Sequence, residues 1–427
     1  VKLHKLTGII VGLLLLTVSV TAAQETVNLT FLNWSGADSE ARGTALVEAF
    51  MAANPNVSIE IELRPGGAEG DNITKTRLAT GEMADLFVYN SGSLLQALNP
   101  SQTLVDLTGE PFLANIVESY FPAVSQGDKI FGVPFEPAMG GGIFYNKAIY
   151  ADLGLEIPTT WDEFVANNAI IKEAGITPVI GSFGDTWTAQ LFVLADYYNL
   201  EQAVPGFADL YTTNQAKYSN TPAARVGFDY LQQGFELGWW QADAATTTFD
   251  QAVALLANGE GAHYPMLTFA VGNIAQNNPD AINSVGFFAQ PGATAESNGA
   301  TVWMPSSVYI PQTTQGAELE AALAFASFIA STDGLNAMSA AVPPSGPYMI
   351  KGYELPADAP AAILDLAGYI ESGASFPALE FLSPVKGPNL EQLCVAVATG
   401  QMTAEQAAAD YDFDVERQAQ QLGLPGW

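Results

Sequence analysis

The apolar positions change period repeatedly along the chain. Residues 27–32 alternate at every second position, from Val27 through Leu29 and Phe31, and predict a strand ending at Asn33-Trp34-Ser35-Gly36. From 39 to 53 the spacing becomes helical, with Ala45, Leu46, Ala49 and Phe50 on one face and Asn54-Pro55 as the stop. Alternation returns over 57–63, a helix is expected over 72–80, and 85–89 reads as a buried third strand. This βαβαβ opening predicts an α/β fold with parallel strands joined by right-handed crossovers. Ligands in such sheets lie beyond the carboxyl ends of the strands, which gives priority to residues 34–38, 64–67 and 90–93. Further helices are predicted over 161–174, introduced by the capping candidates Thr159 and Thr160, and over 221–237, 317–331 and much of 390–421. Gly140-Gly141-Gly142 separates two extended segments and is expected to mark a bend between lobes.

The first 23 residues stand apart. Lys2, His4 and Lys5 precede an uncharged apolar run of 15 residues (6–20), and Thr21-Ala22-Ala23 supplies small residues before Gln24-Glu25. A bilayer span needs about 20 residues, so the pattern predicts a cleaved signal peptide. No cysteine follows the run, so a lipid-anchored form is not expected, and the mature chain is expected in an extracytoplasmic space such as the periplasm.

The rest is longer than one hydrophobic core usually serves, which predicts two lobes. Apolar residues make up 48% of the chain. Charge is strongly one-sided, with 45 acidic residues against 14 basic ones; without Lys2 and Lys5 the net is −33. Such a surface repels nucleic acid and anionic membranes, excludes nucleic-acid binding, and keeps an exported protein soluble, including in a saline medium. Cys394 is the only cysteine, flanked by Leu393, Val395 and Val397, so it reads as a buried small side chain. Enzyme chemistry finds little purchase. His263 is the only histidine after the leader and has no Gly-x-Ser-x-Gly partner; phosphate-binding glycine motifs and metal-ligand spacings are missing too. No cofactor is expected. Glycosidase chemistry, which needs only two carboxylates, stays open on this count alone.

Four segments, in order, resemble the sugar-binding proteins of ATP-driven importers, the group that includes maltose-binding protein. They are Gly81-Glu82-Met83-Ala84-Asp85-Leu86-Phe87; Gly132-Val133-Pro134 with Ile143-Phe144-Tyr145-Asn146-Lys147, Gly154-Leu155 and Pro158-Thr159-Thr160-Trp161-Asp162-Glu163-Phe164; Phe249 with Ala257-Asn258-Gly259-Glu260-Gly261-Ala262; and residues 321–333 with Gly400-Gln401-Met402-Thr403-Ala404-Glu405-Gln406-Ala407. His263 and Phe269 depart from that pattern, where methionine and tryptophan are usual. The resemblance implies a two-lobe periplasmic-binding-protein fold (type II), joined by about three crossover segments and closing on ligand as a hinged trap. It places the first lobe at 26–136 plus 284–338 and the second at 137–283 plus 339–427. It also implies a monomer that delivers a small molecule to ABC permease subunits.

Sugars are held by aromatic faces stacked on their C–H surfaces and by planar polar groups on their hydroxyls. Trp34 follows the first strand. By resemblance, Trp187, Phe269 and Trp303 occupy cleft positions, with Met266 in the same cleft-facing segment as Phe269. Asn90 and Ser91 end the third strand, Asp38 and Asp185 lie in loops facing the cleft, and Ser345 and Tyr348 mark the last crossover. Glu136, at the expected hinge, could accept two hydroxyl protons or sit in a hinge salt bridge. A polyamine-binding protein is the alternative, which carboxylates at both ends of the cleft would favour.

Overall fold

The computed structural model describes Val1 and residues 26–427; the expected signal peptide, Val1 apart, lies outside them. Two mixed sheets flanked by helices form the framework. The first begins with β1 (Val27–Trp34), α1 (Ala37–Ala53), β2 (Val57–Arg64), α2 (Gly67–Thr80) and β3 (Leu86–Tyr89). β1 pairs in parallel with β2 on one side and β3 on the other. Ser307–Tyr309 then adds antiparallel to β3, and Gly132–Pro134 closes the order. The predicted opening is therefore present, with α2 beginning five residues earlier than its periodicity suggests. Gly66, Gly67 and Gly70 hide that start, because glycine is a poor helix former.

The second sheet is built on the strand Met139–Asn146. Gly261–Leu267 runs antiparallel along one side of it and is joined by Thr177–Val179. Its other side takes Val285–Ala289 and then Ala300–Trp303, with Ser375–Pro377 outermost. These pairings move the lobe boundaries. Residues 285–303 belong to the second sheet, so the chain returns to the first only after Trp303 rather than at 284. Likewise Tyr348, Met349 and Ile350 pack in the first core, whereas Ala359 and Ala362 pack in the second lobe. The three crossings thus fall near 135–138, 304–306 and 351–358. A strand of the second sheet at 285–289 carries the same apolar signature as one of the first, so composition alone could not assign it.

Gly140 to Gly142 are not a bend. They lie inside the continuous strand Met139–Asn146, and a Cβ on them would collide with Leu366, Trp303 and Phe287 respectively. The glycines make room for side chains laid over the sheet, and the crossing comes just before them. The helix Trp161–Glu173 starts as expected, with Thr160 and Glu163 forming a reciprocal capping box. The C-terminal stretch is broken into Leu390–Ala398 and Ala404–Gln421 by Gly400, whose φ of +72° stops the first helix.

Each lobe has an aromatic-rich core. Phe31, Phe50 and Phe325 meet edge-to-face in the first, and Trp161 lies flat on Tyr230 in the second. His263 is fully buried there. Its Nδ1–H donates to Asn168 Oδ1 and the Pro178 carbonyl, and its Nε2 accepts from the Tyr150 hydroxyl at 2.6 Å. Burial pulls its pKa down to about 3, so it is a neutral core residue.

Candidate functional site

Residues 34, 64 and 89 end the first three strands on the same side of the first sheet. The Arg64 guanidinium sits between the rings of Trp34 and Tyr89, 5.5 Å from each centroid. Its NH groups donate to the carbonyls of Pro65 and Val88, while Nε has no partner. The Ser93 hydroxyl is also buried and unpartnered, while the Tyr89 hydroxyl is turned toward the Asp71 carboxylate. Burial lowers the Arg64 pKa to about 10, because no carboxylate is bonded to it. Asp71, on α2, is the charge facing Arg64 and Tyr89, and burial raises its pKa.

The second lobe meets this wall closely. A methyl on Gly67 would lie 3.3 Å from Trp187 Cδ1, and one on Gly92 would come within 2.9 Å of Phe381. Trp187 packs against Phe249 and Phe269, at centroid distances of 5.3 and 5.9 Å. Beside it, the Thr186 hydroxyl donates to Glu391, which stands near Asp71 and Lys386. Lys386 is 3.4 Å from Glu380, and Glu380 accepts the indole N–H of Trp303. Trp303 in turn shares a cluster with Leu267, Phe269 and Phe381. The junction therefore carries aromatic faces from both lobes and a balanced charge set. Arg64, Lys75 and Lys386 are matched by Asp71, Glu380 and Glu391.

The sequence-predicted residues separate into groups. Trp34, Trp187, Phe269 and Trp303 border the inter-lobe junction, with Asn90 at its edge, where its carbonyl accepts from the Tyr309 hydroxyl. Ser91 is buried and donates to the Pro305 carbonyl, locking it to the second crossing. Asp185 accepts from the Phe249 N–H and so supports the start of the helix Phe249–Ala257. Met266 is fully buried in the core of the second lobe; strand alternation turns its neighbour Leu267 outward instead. Asp38, Glu136 and Tyr348 gather around Arg42. Arg42 donates to the Tyr348 hydroxyl at 2.9 Å and lies 3.8 Å from Asp38. Sequence reasoning marked residue 64 only as part of a priority segment and passed over Asp71, Tyr89, Glu380, Lys386 and Glu391.

Two small cavities, each about 10 Å³, lie within the second lobe, one beneath Trp303 and Glu380 and one beside Ser182 and Tyr264. Each has room for about one water. Neither could hold a sugar ring.

Residues 34–335 match the family model described as bacterial extracellular solute-binding protein, and the chain belongs to that family. It is similar to the multiple sugar-binding protein of Streptococcus mutans, 25% identical over 60% of either chain. An uncharacterised ABC transporter extracellular-binding protein of Pyrococcus horikoshii is 26% identical over 74% of this chain and 71% of its own. The fold is similar to a solved chitin oligosaccharide binding protein, with a TM-score of 0.79 and 20% identity over 92% of this chain and 99% of that one. Among the described residues no helix is long and apolar enough to cross a membrane.

Proposed function

We propose that this protein is the extracytoplasmic, monomeric substrate-binding component of an ABC importer, holding a neutral sugar or short oligosaccharide between its lobes. The observation that carries this reading is the junction itself. Trp34 and Tyr89 from one lobe and Trp187, Phe269 and Trp303 from the other supply the apolar faces a pyranose needs. Arg64 Nε and Ser93 Oγ are buried groups without partners, each able to meet a hydroxyl. The sugar-binding name of the Streptococcus relative and the oligosaccharide of the structural neighbour agree in class. The transporter named for the Pyrococcus relative supports a permease partner. His263 is neutral and enclosed in the core, which removes it as a general base.

A polyamine would favour unmatched carboxylates, and the balanced charges of the junction argue against it. Thermal shift of the purified chain against mono- and oligosaccharides, with putrescine and spermidine alongside, separates the readings. A ligand at 100 times its Kd adds about 2.7 kcal/mol. The expected result is stabilisation by one sugar class that is lost in Trp187→Ala. Stabilisation by polyamines alone would overturn the sugar reading.

A further inference from the structure

Arg42, on α1, is buried to 1% exposure beside the first two crossings and the segment that leads into the third. Its guanidinium donates to Tyr348, just before the third crossing. Glu136, in the first crossing, is the second carboxylate acting on it, and Glu136 Oε1 also accepts the N–H of Ser306 in the second. The first two crossings are stitched together by Phe135 N–H to the Ser306 carbonyl, and Ala138 N–H donates to the Pro347 carbonyl, ahead of the third. Asp38 reaches the same guanidinium from the first turn of α1, and its other side faces the second lobe. A methyl on Gly272, in the helix Ala270–Asn277, would sit 2.8 Å from Asp38 Cβ. Asp250 adds a further negative charge there, tied to that helix through Asn273. Tyr120 faces Glu136 from behind.

We propose that Asp38, Arg42 and Glu136 form a proton-linked hinge lock, in which closing the lobes buries two carboxylates against one guanidinium and takes up one proton. When the lobes part, the helix Ala270–Asn277 leaves Asp38 and water can reach it, so both carboxylates stay ionised. When they meet, desolvation and the Asp250 charge penalise the second negative charge, and a proton settles on the pair. Burial raises both carboxyl pKa values in the closed form, with Arg42 opposing. The sign follows directly. Closure is favoured below the raised pKa and is weakened as pH rises through it. One proton changes the closed-to-open ratio by up to about tenfold per pH unit.

The test reads lobe separation, so it does not depend on which solute binds, and its failure is distinct from failure of the sugar reading. Small-angle X-ray scattering of the ligand-free chain, from about pH 5 to 8, should show the radius of gyration growing with pH. Glu136→Gln and Asp38→Asn each leave one carboxylate facing Arg42, so each should stay compact and insensitive to pH. Either variant suffices if the other fails to fold. A purely structural cluster would lower thermal stability in the variants without altering the pH dependence of size. A pH-independent wild type, or variants that keep its profile, would overturn the proposal.

Discussion

Two arginines of the first lobe are almost equally hidden from water, yet their surroundings differ in kind. Arg42 has Asp38, Glu136 and the Tyr348 hydroxyl around it, and these raise its pKa against the pull of burial. Arg64 has two carbonyls and two aromatic faces, and its pKa falls to about 10. Each keeps a buried Nε without a hydrogen-bond partner, so hydrogen bonding does not distinguish them. Charge does. Arg42 is answered by two carboxylates at the hinge, whereas Arg64 is held between aromatic rings with Asp71 as its opposing charge. The contrast separates a cation neutralised within the hinge from one presented on the binding wall.

The most damaging way to break this comparison is Arg42→Met. Stranding two buried carboxylates should cost about 3–5 kcal/mol near neutral pH, and the loss should shrink in acid as both take up protons. Chemical denaturation at two pH values measures it. If the variant is as stable as the wild type at neutral pH, Arg42 is not what compensates those carboxylates. His263 supplies a third buried base, served wholly by neutral partners. Its folded pKa of about 3 lies below the ordinary 6.5, so the unfolded chain binds the proton first. Stability should therefore fall as pH drops below 6.5, by about 2 kcal/mol at about pH 5. That component should vanish in His263→Gln.

Arg64→Met sharpens the comparison from the other side. Fold stability should change by only about 1 kcal/mol, while sugar affinity in isothermal titration falls at least about tenfold. The reverse pattern, a large stability loss with affinity retained, would move Arg64 into the framework. The smallest effect belongs to the surface. With a net charge of −31 in the whole chain, raising salt should increase the melting temperature modestly, and equally in wild type and Arg64→Met, because screening acts on exposed charges.

The first sheet was legible because β1, β2 and β3 alternate or run apolar between helices with clear stops. The second was less so, since Gly140–Gly142 looks like a break until the side chains laid over it are seen. Among site residues, the tryptophans and Phe269 could be singled out because large aromatics after strands are few. Asp71, Glu380 and Glu391 could not, since each is one of 45 acids and gains meaning only from a partner far along the chain. Arg42 was missed for the same reason. Its partners Glu136 and Tyr348 were noticed separately, but nothing local says that one cation joins them. Met266 and Leu267 show a finer limit, where an error of one residue in strand phase exchanges core for cleft.

Gly67 and Gly92 have a practical consequence for engineering. Both adopt positive φ, +66° and +70°, and both let the opposing lobe approach to within a methyl group of the backbone. They act as the gauge of the gap. Any side chain at residue 92 would prop the jaws ajar and strain the backbone at once, because a φ of +70° there suits glycine. Gly92→Ala should therefore weaken capture while leaving every aromatic face in place, a starting point for sensors that must report high solute concentrations.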